Sequence, residues 1–108
     1  MQNLKFLRNM ELNPEDIPMF QSDLNYSNIC LTNGRKIILA KTLKQITEIV
    51  KDAPFVRVNR QTVLNIKHIK KYEGSPEAQM INGLKVTFSR RRASKAHIQI
   101  NHFLNNQF

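Results

Sequence analysis

Cysteine, tryptophan and long apolar runs are scarce or missing in this chain of 108 residues. Cys30 is the only cysteine, which excludes an internal disulfide and a cysteine-rich zinc site and favours a reducing compartment. No apolar run approaches the roughly 20 residues that span a bilayer, and the first residues lack a secretory hydrophobic segment. The length and the 41% hydrophobic content predict one soluble domain, residues 1–108, with a modest core. We therefore expect a cytoplasmic protein that is neither exported nor inserted into a membrane.

Acidic residues are also few, and they are unevenly distributed. The chain carries 17 lysines and arginines against eight aspartates and glutamates, a net charge of +9. Residues 1–23 hold two of these bases and four of the acids, so residues 24–108 hold the other 15 bases and only four acids. No acid follows Glu77. A basic surface on the body of the domain predicts a polyanionic partner, with nucleic acid as the first candidate.

Alternation and helix-cap signals predict the elements of the N-terminal part. Leu4 and Phe6 indicate a short edge strand within residues 1–12. Asn13 and the proline that follows it predict one tight helical turn over residues 14–17. The reason is that asparagine caps helices and proline fits their first position.

Two asparagine–glycine pairs predict hairpins. The first pair, residues 33–34, offers two residues that tolerate positive φ between an alternating strand around Ile29 and a partner strand over 36–40. The second pair, residues 82–83, precedes an alternating strand over 84–88. The middle and the end of the chain therefore have the turn chemistry of antiparallel sheets.

Helical periodicity occurs in two places. From Thr42 the apolar positions recur at three- and four-residue spacings, which predicts one helix of about ten residues that ends near residues 52–54. Residues 55–58 begin another strand, whereas both strand and short helix remain open for 60–65. Apolar side chains on one face of the tail, residues 93–107, predict a terminal helix.

Bases and polar side chains gather at the ends of these elements. Amide, hydroxyl and guanidinium groups supply directional donors that match base edges and phosphates. The three adjacent guanidinium groups at 90–92 repel one another and have no acid nearby in sequence, which favours a bound polyanion over a solvated charge run. An ordinary polar turn at 25–28, and ion pairs of Arg57 and Arg60 with carboxylates, remain open as alternatives. The three polar segments are residues 25–28, 59–61 and 89–94.

Eight segments follow one another in a linked order, namely residues 16–22, 25–27, 33–35, 42–46, 55–61, 63–65, 69 and 86–92. Together they resemble the LytTR DNA-binding domain over about residues 14–107. The resemblance implies a mainly β protein, an elongated antiparallel β fold with a short central helix and a C-terminal helix. Members of this family are bacterial transcription regulators whose DNA-binding domain commonly follows a receiver domain, and here we expect the output domain without a receiver.

The resemblance also implies a function and a set of site residues. Loops at one edge of the domain would enter successive grooves of double-stranded DNA and bend it, often with two copies on direct repeats. Carried over by motif, the base-contacting residues are Asn25, Tyr26, Asn59, Arg60 and Arg91. The phosphate-contacting residues are Ser27, Lys44, Arg57, Gln61, Ser89, Arg90 and Arg92. No catalytic residue, metal ligand or cofactor is implied, and the expected partners are duplex DNA, a second copy and an unidentified regulatory partner, with no membrane.

Two other classes of function are open to a basic domain of this size. A module that binds RNA or an acidic protein would use the same surface without sequence-specific DNA readout. RNA modules stack unpaired bases on exposed aromatics, and only Tyr26 and Tyr72 are expected to be free. An acid–base nuclease is disfavoured, because His97 and His102 fall on different faces of the terminal helix and no carboxylate lies in their region.

Overall fold

Two antiparallel sheets and three helices form the described part of the computed structural model, residues 5–74 and 76–105. Of these residues, 34% are helical and 33% lie in strands, so the sheets provide the framework although helical residues are equally numerous. The helices are α1 (Lys5–Asn9), α2 (Leu43–Ile49) and α3 (Arg90–Asn105), with 3-10 turns at Pro14–Asp16 and Ile66–His68. The strands are β1 (Met19–Asp23), β2 (Tyr26–Cys30), β3 (Lys36–Leu39), β4 (Phe55–Asn59), β5 (Thr62–Asn65), β6 (Ile69–Lys71), β7 (Glu77–Met80) and β8 (Lys85–Thr87).

Strand β1 lies at the centre of the larger sheet. The five strands follow the order β3-β2-β1-β5-β4, and the smaller sheet has the order β6-β7-β8. All pairings are antiparallel. The principal extents are 34, 31 and 25 Å, so the elongation expected from the resemblance is slight.

Alternate residues of the central strands enter two separate cores. On β1, Phe20 packs in a cluster with residues of α1 and α2, whereas Met19 packs in a cluster with the smaller sheet and α3. Strand β5 repeats this alternation with Val63 and Leu64. Because successive side chains of a strand point to opposite faces, both faces of the larger sheet are covered. Packing on both faces holds β1 and β5 in place, and the turns of the candidate site lie at the ends of these two strands.

Both predicted hairpins are present, with a turn type that differs from the expectation. In the first, Leu31 N donates to Arg35 O at 2.8 Å and Gly34 N donates to Leu31 O at 3.0 Å, which closes a three-residue loop. Gly34 has φ +86° and Gly83 has φ +89°, while neither asparagine is left-handed. One positive φ is therefore needed in each loop, where two were expected, as in hairpins that place glycine in the left-handed position.

The predicted N-terminal strand is wrong for the residues that the structure describes. Residues 5–9 form helix α1, and Leu4 lies outside the described residues. Two apolar positions cannot separate a period of 2 from a period of 3.6, and the buried position is Leu7, which joins the Phe20 cluster. The predicted helical turn is confirmed, since Asn13 Oδ1 accepts from Glu15 N at 3.0 Å.

The two longer helices begin at side-chain caps. Thr42 Oγ1 accepts from Gln45 N at 3.2 Å, and Gln45 Oε1 accepts from Thr42 N at 2.8 Å, a capping box that starts a helix of seven residues, shorter than expected. Helix α3 begins at Arg90, three residues before the predicted start, and residues 106–107 lie outside the described chain. Residues 62–65 form a strand, which decides the alternative left open. Among the described residues, no helix is long and apolar enough to cross a membrane.

Candidate nucleic-acid interface

Two tight turns lie side by side at one end of the larger sheet. The β1–β2 turn is closed by the pairing of Asp23 with Tyr26, and the β4–β5 turn contains Arg60 and Gln61. Since β1 also pairs with β5, the ends of both hairpins fall together, and Ser22 N donates to Gln61 O at 2.9 Å. The sheet register thus places the first two of the three polar segments at the same end of the sheet.

The start of α3 joins the same end of the sheet. Ser89 N donates to Val58 O at 2.8 Å, and Asn59 Nδ2 donates to Thr87 O at 2.8 Å. Ser89 Oγ accepts from Arg92 N at 3.3 Å and so caps the first turn of the helix. The third polar segment is therefore attached to the end of β4, next to the β4–β5 turn.

The side chain of Arg57 stabilises the β4–β5 turn through hydrogen bonds to its backbone. Its Nε donates to Asn59 O at 3.3 Å and one terminal nitrogen donates to Arg60 O at 2.8 Å. Burial lowers the pKa of Arg57, and the positive charges of Arg92 and Arg60 lower it further. Three guanidinium groups are thus close enough to affect one another, and two of the Arg57 donors are committed to the turn.

A cleft of about 480 Å³ lies between α2 and α3 beside β4. We call it the cationic cleft, after the four bases on its β4 and α3 walls, Arg57, Arg91, Arg92 and Lys95. Lys95 was not among the residues nominated from the sequence. Lys95 lies four residues after Arg91, a spacing that puts two side chains on the same face of a helix. A predicted helix that began at Arg90 would therefore have placed them together.

The three adjacent arginines do not share one surface. Arg91 and Arg92 line the cationic cleft, whereas Arg90 lines a separate groove of about 510 Å³ with Tyr72 and Phe88. The helical geometry explains this separation, because consecutive residues of a helix are about 100° apart around its axis. The structure therefore brings two of the three arginines together and not the third.

The first turn of α3 has an unfavourable distribution of charge for a domain without a ligand. It carries three arginines and no acid, although the positive end of the helix dipole lies there and favours negative groups. The ion pairs found among residues 5–74 and 76–105, Lys51 with Glu48 and Lys71 with Glu73, do not include these arginines. An anion from outside the domain is what this end of the helix would accept.

Several predicted contact residues present exposed side chains at this end. Tyr26 is 52% exposed, and Asn25, Arg60 and Gln61 are also exposed. Strand β3 ends beside the β1–β2 turn, and helix α2 follows it there. Lys44, on the first turn of α2, is exposed. These side chains reach solvent from three neighbouring elements and are available to a ligand.

Two predicted contact residues are engaged inside the protein. Ser27 is 0% exposed and its hydroxyl donates to Lys41 O at 2.8 Å, so it does not reach a phosphate in this conformation. Asn59 uses both ends of its carboxamide, since Oδ1 accepts from Gln61 N at 2.8 Å while Nδ2 donates to Thr87 O. The Asn59 side chain shapes the β4–β5 turn in the manner of an Asx turn, whereas Ser27 ties β2 to the backbone that follows β3.

Exposed aromatic side chains are scarce in the described chain. Tyr72, expected to be free, stacks on Phe88 with ring centroids 5.8 Å apart, and its hydroxyl lies 2.6 Å from His97 Nδ1. Burial raises the pKa of Tyr72. Among residues 5–74 and 76–105, Tyr26 is therefore the one exposed tyrosine or phenylalanine, which is a poor platform for stacking several RNA bases.

The three histidines have separate partners rather than a shared site. His68 Nε2 contacts Glu15 O, and His97 lies between Tyr72 and Asn101. His102 contacts the ring of Phe103 at a centroid distance of 5.5 Å. No two of these rings are joined by a contact that would transfer a proton between them, in the part of the chain that the structure describes.

Comparison with known proteins agrees with this geometry. The family model described as the LytTr DNA-binding domain matches residues 8–100. A solved LytTr DNA-binding domain from Bacillus cereus, assigned to a methyl-accepting/DNA response regulator, is similar at a TM-score of 0.70 and 17% identity, covering 80% of this chain and 82% of that one. No curated protein matches the chain significantly. The structural likeness shows the shared fold, and the family match over most of the chain shows that it belongs to the LytTR family of DNA-binding domains.

Proposed function

We propose that this domain binds specific sequences of double-stranded DNA, as a bacterial transcription regulator, by placing neighbouring turns in successive grooves. The family supplies DNA as the partner. The observation that carries the finer proposal is the meeting of the β1–β2 turn, the β4–β5 turn and the start of α3 at one end of the larger sheet. Such an end presents amides, a phenol and guanidinium groups together, which are the donors that read bases and hold phosphates.

The proposed division of roles follows exposure and internal bonding. Asn25, Tyr26, Arg60 and Arg91 are exposed and would reach base edges. The phosphate-holding side chains would be Lys44, Gln61, Arg90, Arg92 and Lys95. Arg57, Asn59 and Ser89 would act through the shape of the β4–β5 turn and the helix start, because each already bonds to backbone there. Ser27 would act by holding β2 against the backbone of Lys41.

Selection of binding sites from a random duplex pool tests this function directly. We expect enrichment of one motif, present twice in the same orientation at a fixed spacing, because two copies of a domain on direct repeats must keep a constant distance along the helix. Recovery of sequences without any common motif would contradict specific readout. A single motif without a repeat would contradict the two-copy arrangement alone.

Salt dependence is a first quantitative prediction. A domain that makes about six phosphate contacts should lose affinity with a slope of about −5 in a plot of log K against log salt concentration. The measurement is fluorescence anisotropy of the selected duplex from 50 to 300 mM potassium chloride. A slope near zero would mean that the cations of the cationic cleft do not face the phosphate backbone.

Bending of the duplex is a second prediction. Turns that enter successive grooves from one side draw the flanking DNA toward the basic surface, and the energy of deformation is recovered in additional contacts. In a set of fragments that carry the site at different positions, the complex with the site at the centre should migrate most slowly. Equal mobility of all fragments would show that the domain binds straight DNA.

A further inference from the structure

Leu24 stands at the tip of the β1–β2 hairpin with an unusual backbone and no cover. It lies between the paired residues Asp23 and Tyr26, has φ +56° and is 93% exposed. Among the large apolar side chains of the described residues, the next most exposed is Ile38, at 69%. The most exposed apolar group thus projects from the end of the sheet where the site lies.

The left-handed backbone of Leu24 costs free energy, and contacts of its side chain within the domain do not offset that cost because the side chain is exposed. Glycine and asparagine adopt positive φ with little strain, whereas the Cβ of leucine meets the backbone there. Glu11 also has positive φ, at 59°, but it follows α1 and its N–H donates to Arg8 O at 2.9 Å as part of a helix end. The tight turn explains the positive φ at position 24. Burial does not explain why an apolar residue stands there, because the side chain is exposed. Strain kept at an exposed tip is a reason to look for a ligand.

The composition of the tip indicates where on DNA it would lie. Residues 23–26 include Asp23 and no base, so the tip is unsuited to the phosphate backbone. The cations stand beside it, on the β4–β5 turn and on α3. The major groove, about 12 Å wide, admits a two-stranded ribbon and offers a different pattern of groups for each base pair. The tip therefore suits the floor of the major groove.

We propose that Leu24 reads thymine, by packing its side chain against the C5-methyl group of one thymine in the major groove. The inference rests on the DNA-binding function proposed above and makes it more specific. That methyl is the apolar group that the floor of the major groove offers, and apolar side chains recognise it by contact. The neighbouring Asn25 and Tyr26 supply polar groups for the bases on either side.

The test uses the duplex that emerges from site selection. Each thymine is replaced in turn by deoxyuridine, which removes the methyl group and keeps the base pair. The native domain should lose about fourfold in affinity at one thymine position, the effect of one buried methyl group. Leu24→Asn, a residue that tolerates the left-handed turn, should bind the thymine and deoxyuridine duplexes equally. Leu24→Met, which keeps an apolar chain, should retain the native difference.

Controls separate this contact from a general loss of binding. Ile81→Ala removes another exposed apolar side chain, 60% exposed on the β7–β8 turn, and should behave like the native domain on both duplexes. The inference is overturned if no thymine position matters to the native domain, or if Leu24→Asn keeps the native difference. Failure to select any motif would overturn the proposed function as well, whereas a clear motif without dependence on a methyl group would overturn this inference alone.

Discussion

Replacing Arg91 with alanine is expected to weaken binding of the selected duplex by about 1–3 kcal/mol, roughly 5- to 150-fold, with little change on random DNA. Replacing Arg92 is expected to weaken both duplexes by the same factor. The difference would arise because a guanidinium fork on a base edge depends on sequence, whereas one on phosphate does not.

The structure supplies the reason for assigning these roles to adjacent arginines. Both side chains line the cationic cleft, but Arg92 is partly buried and close enough to Arg57 to lower the pKa of that residue. Its own N–H is bound by the Ser89 cap. Arg91 is exposed and has more freedom to extend from the helix into a groove. Arg92, which is less mobile, is therefore better suited to hold a phosphate, and Arg91, which extends further, is better suited to contact a base edge.

The measurement compares six affinities, those of the native domain and of each variant on the selected and on a random duplex at one salt concentration. Arg35→Ala is the matched control, because Arg35 is an exposed arginine in the β2–β3 turn at the opposite end of the sheet. It should change neither affinity by more than about twofold, the screened effect of one distant surface charge. If Arg91→Ala and Arg92→Ala change the two affinities in the same proportion, the division of roles is wrong.

Local turn chemistry made much of the fold predictable from the sequence. The two asparagine–glycine pairs and the strands beside them lie where expected, since a glycine at positive φ is needed whatever the rest of the chain does. Helix α1 could not be predicted in the same way. Its state is decided by the entry of Leu7 into the Phe20 cluster, a contact with residues far along the chain. Tertiary packing overrides a weak local preference in such short segments.

The candidate site was predictable as a set of segments but not as a set of contacts. The three polar segments meet as expected, whereas Asn59 is occupied by a bond to Thr87, 28 positions away. Arg90 faces the Tyr72 groove because helix α3 already begins at this residue, and Ser27 faces inward because of the pairing of β2. Each of these outcomes depends on register or on a helix boundary, which are the least local properties of a sequence.

Replacing Phe20 with alanine is expected to lower the free energy of unfolding by about 3–5 kcal/mol, a large part of the total of about 5–15 kcal/mol for a domain of this kind. Phe20 is 0% exposed and heads the fully buried side chains by volume. It lies opposite Ile29 and Val63 on the neighbouring strands, and its ring centroid is 5.5 Å from that of Phe55. The cavity would open at the centre of the larger sheet, where three strands limit collapse.

Urea unfolding followed by circular dichroism measures this effect, and Phe20→Leu is the milder comparison. DNA affinity measured on the folded fraction should stay within about twofold of native, since Phe20 supports the strand and does not reach the turns. A loss below about 1 kcal/mol would mean that the site repacks, as conservative core changes do.

Because the two cores are separate, the losses of stability caused by one substitution in each core should add. Ile100 is 0% exposed in the cluster on the other face of the sheet, so Phe20→Leu and Ile100→Val should lower stability independently, to within about 0.5 kcal/mol. A larger coupling would mean that β1, whose residues alternate between both clusters, transmits repacking from one face to the other. The turns at the end of β1 would then respond to both cores, and affinity for the selected duplex should fall in the double variant although neither single change lowers it.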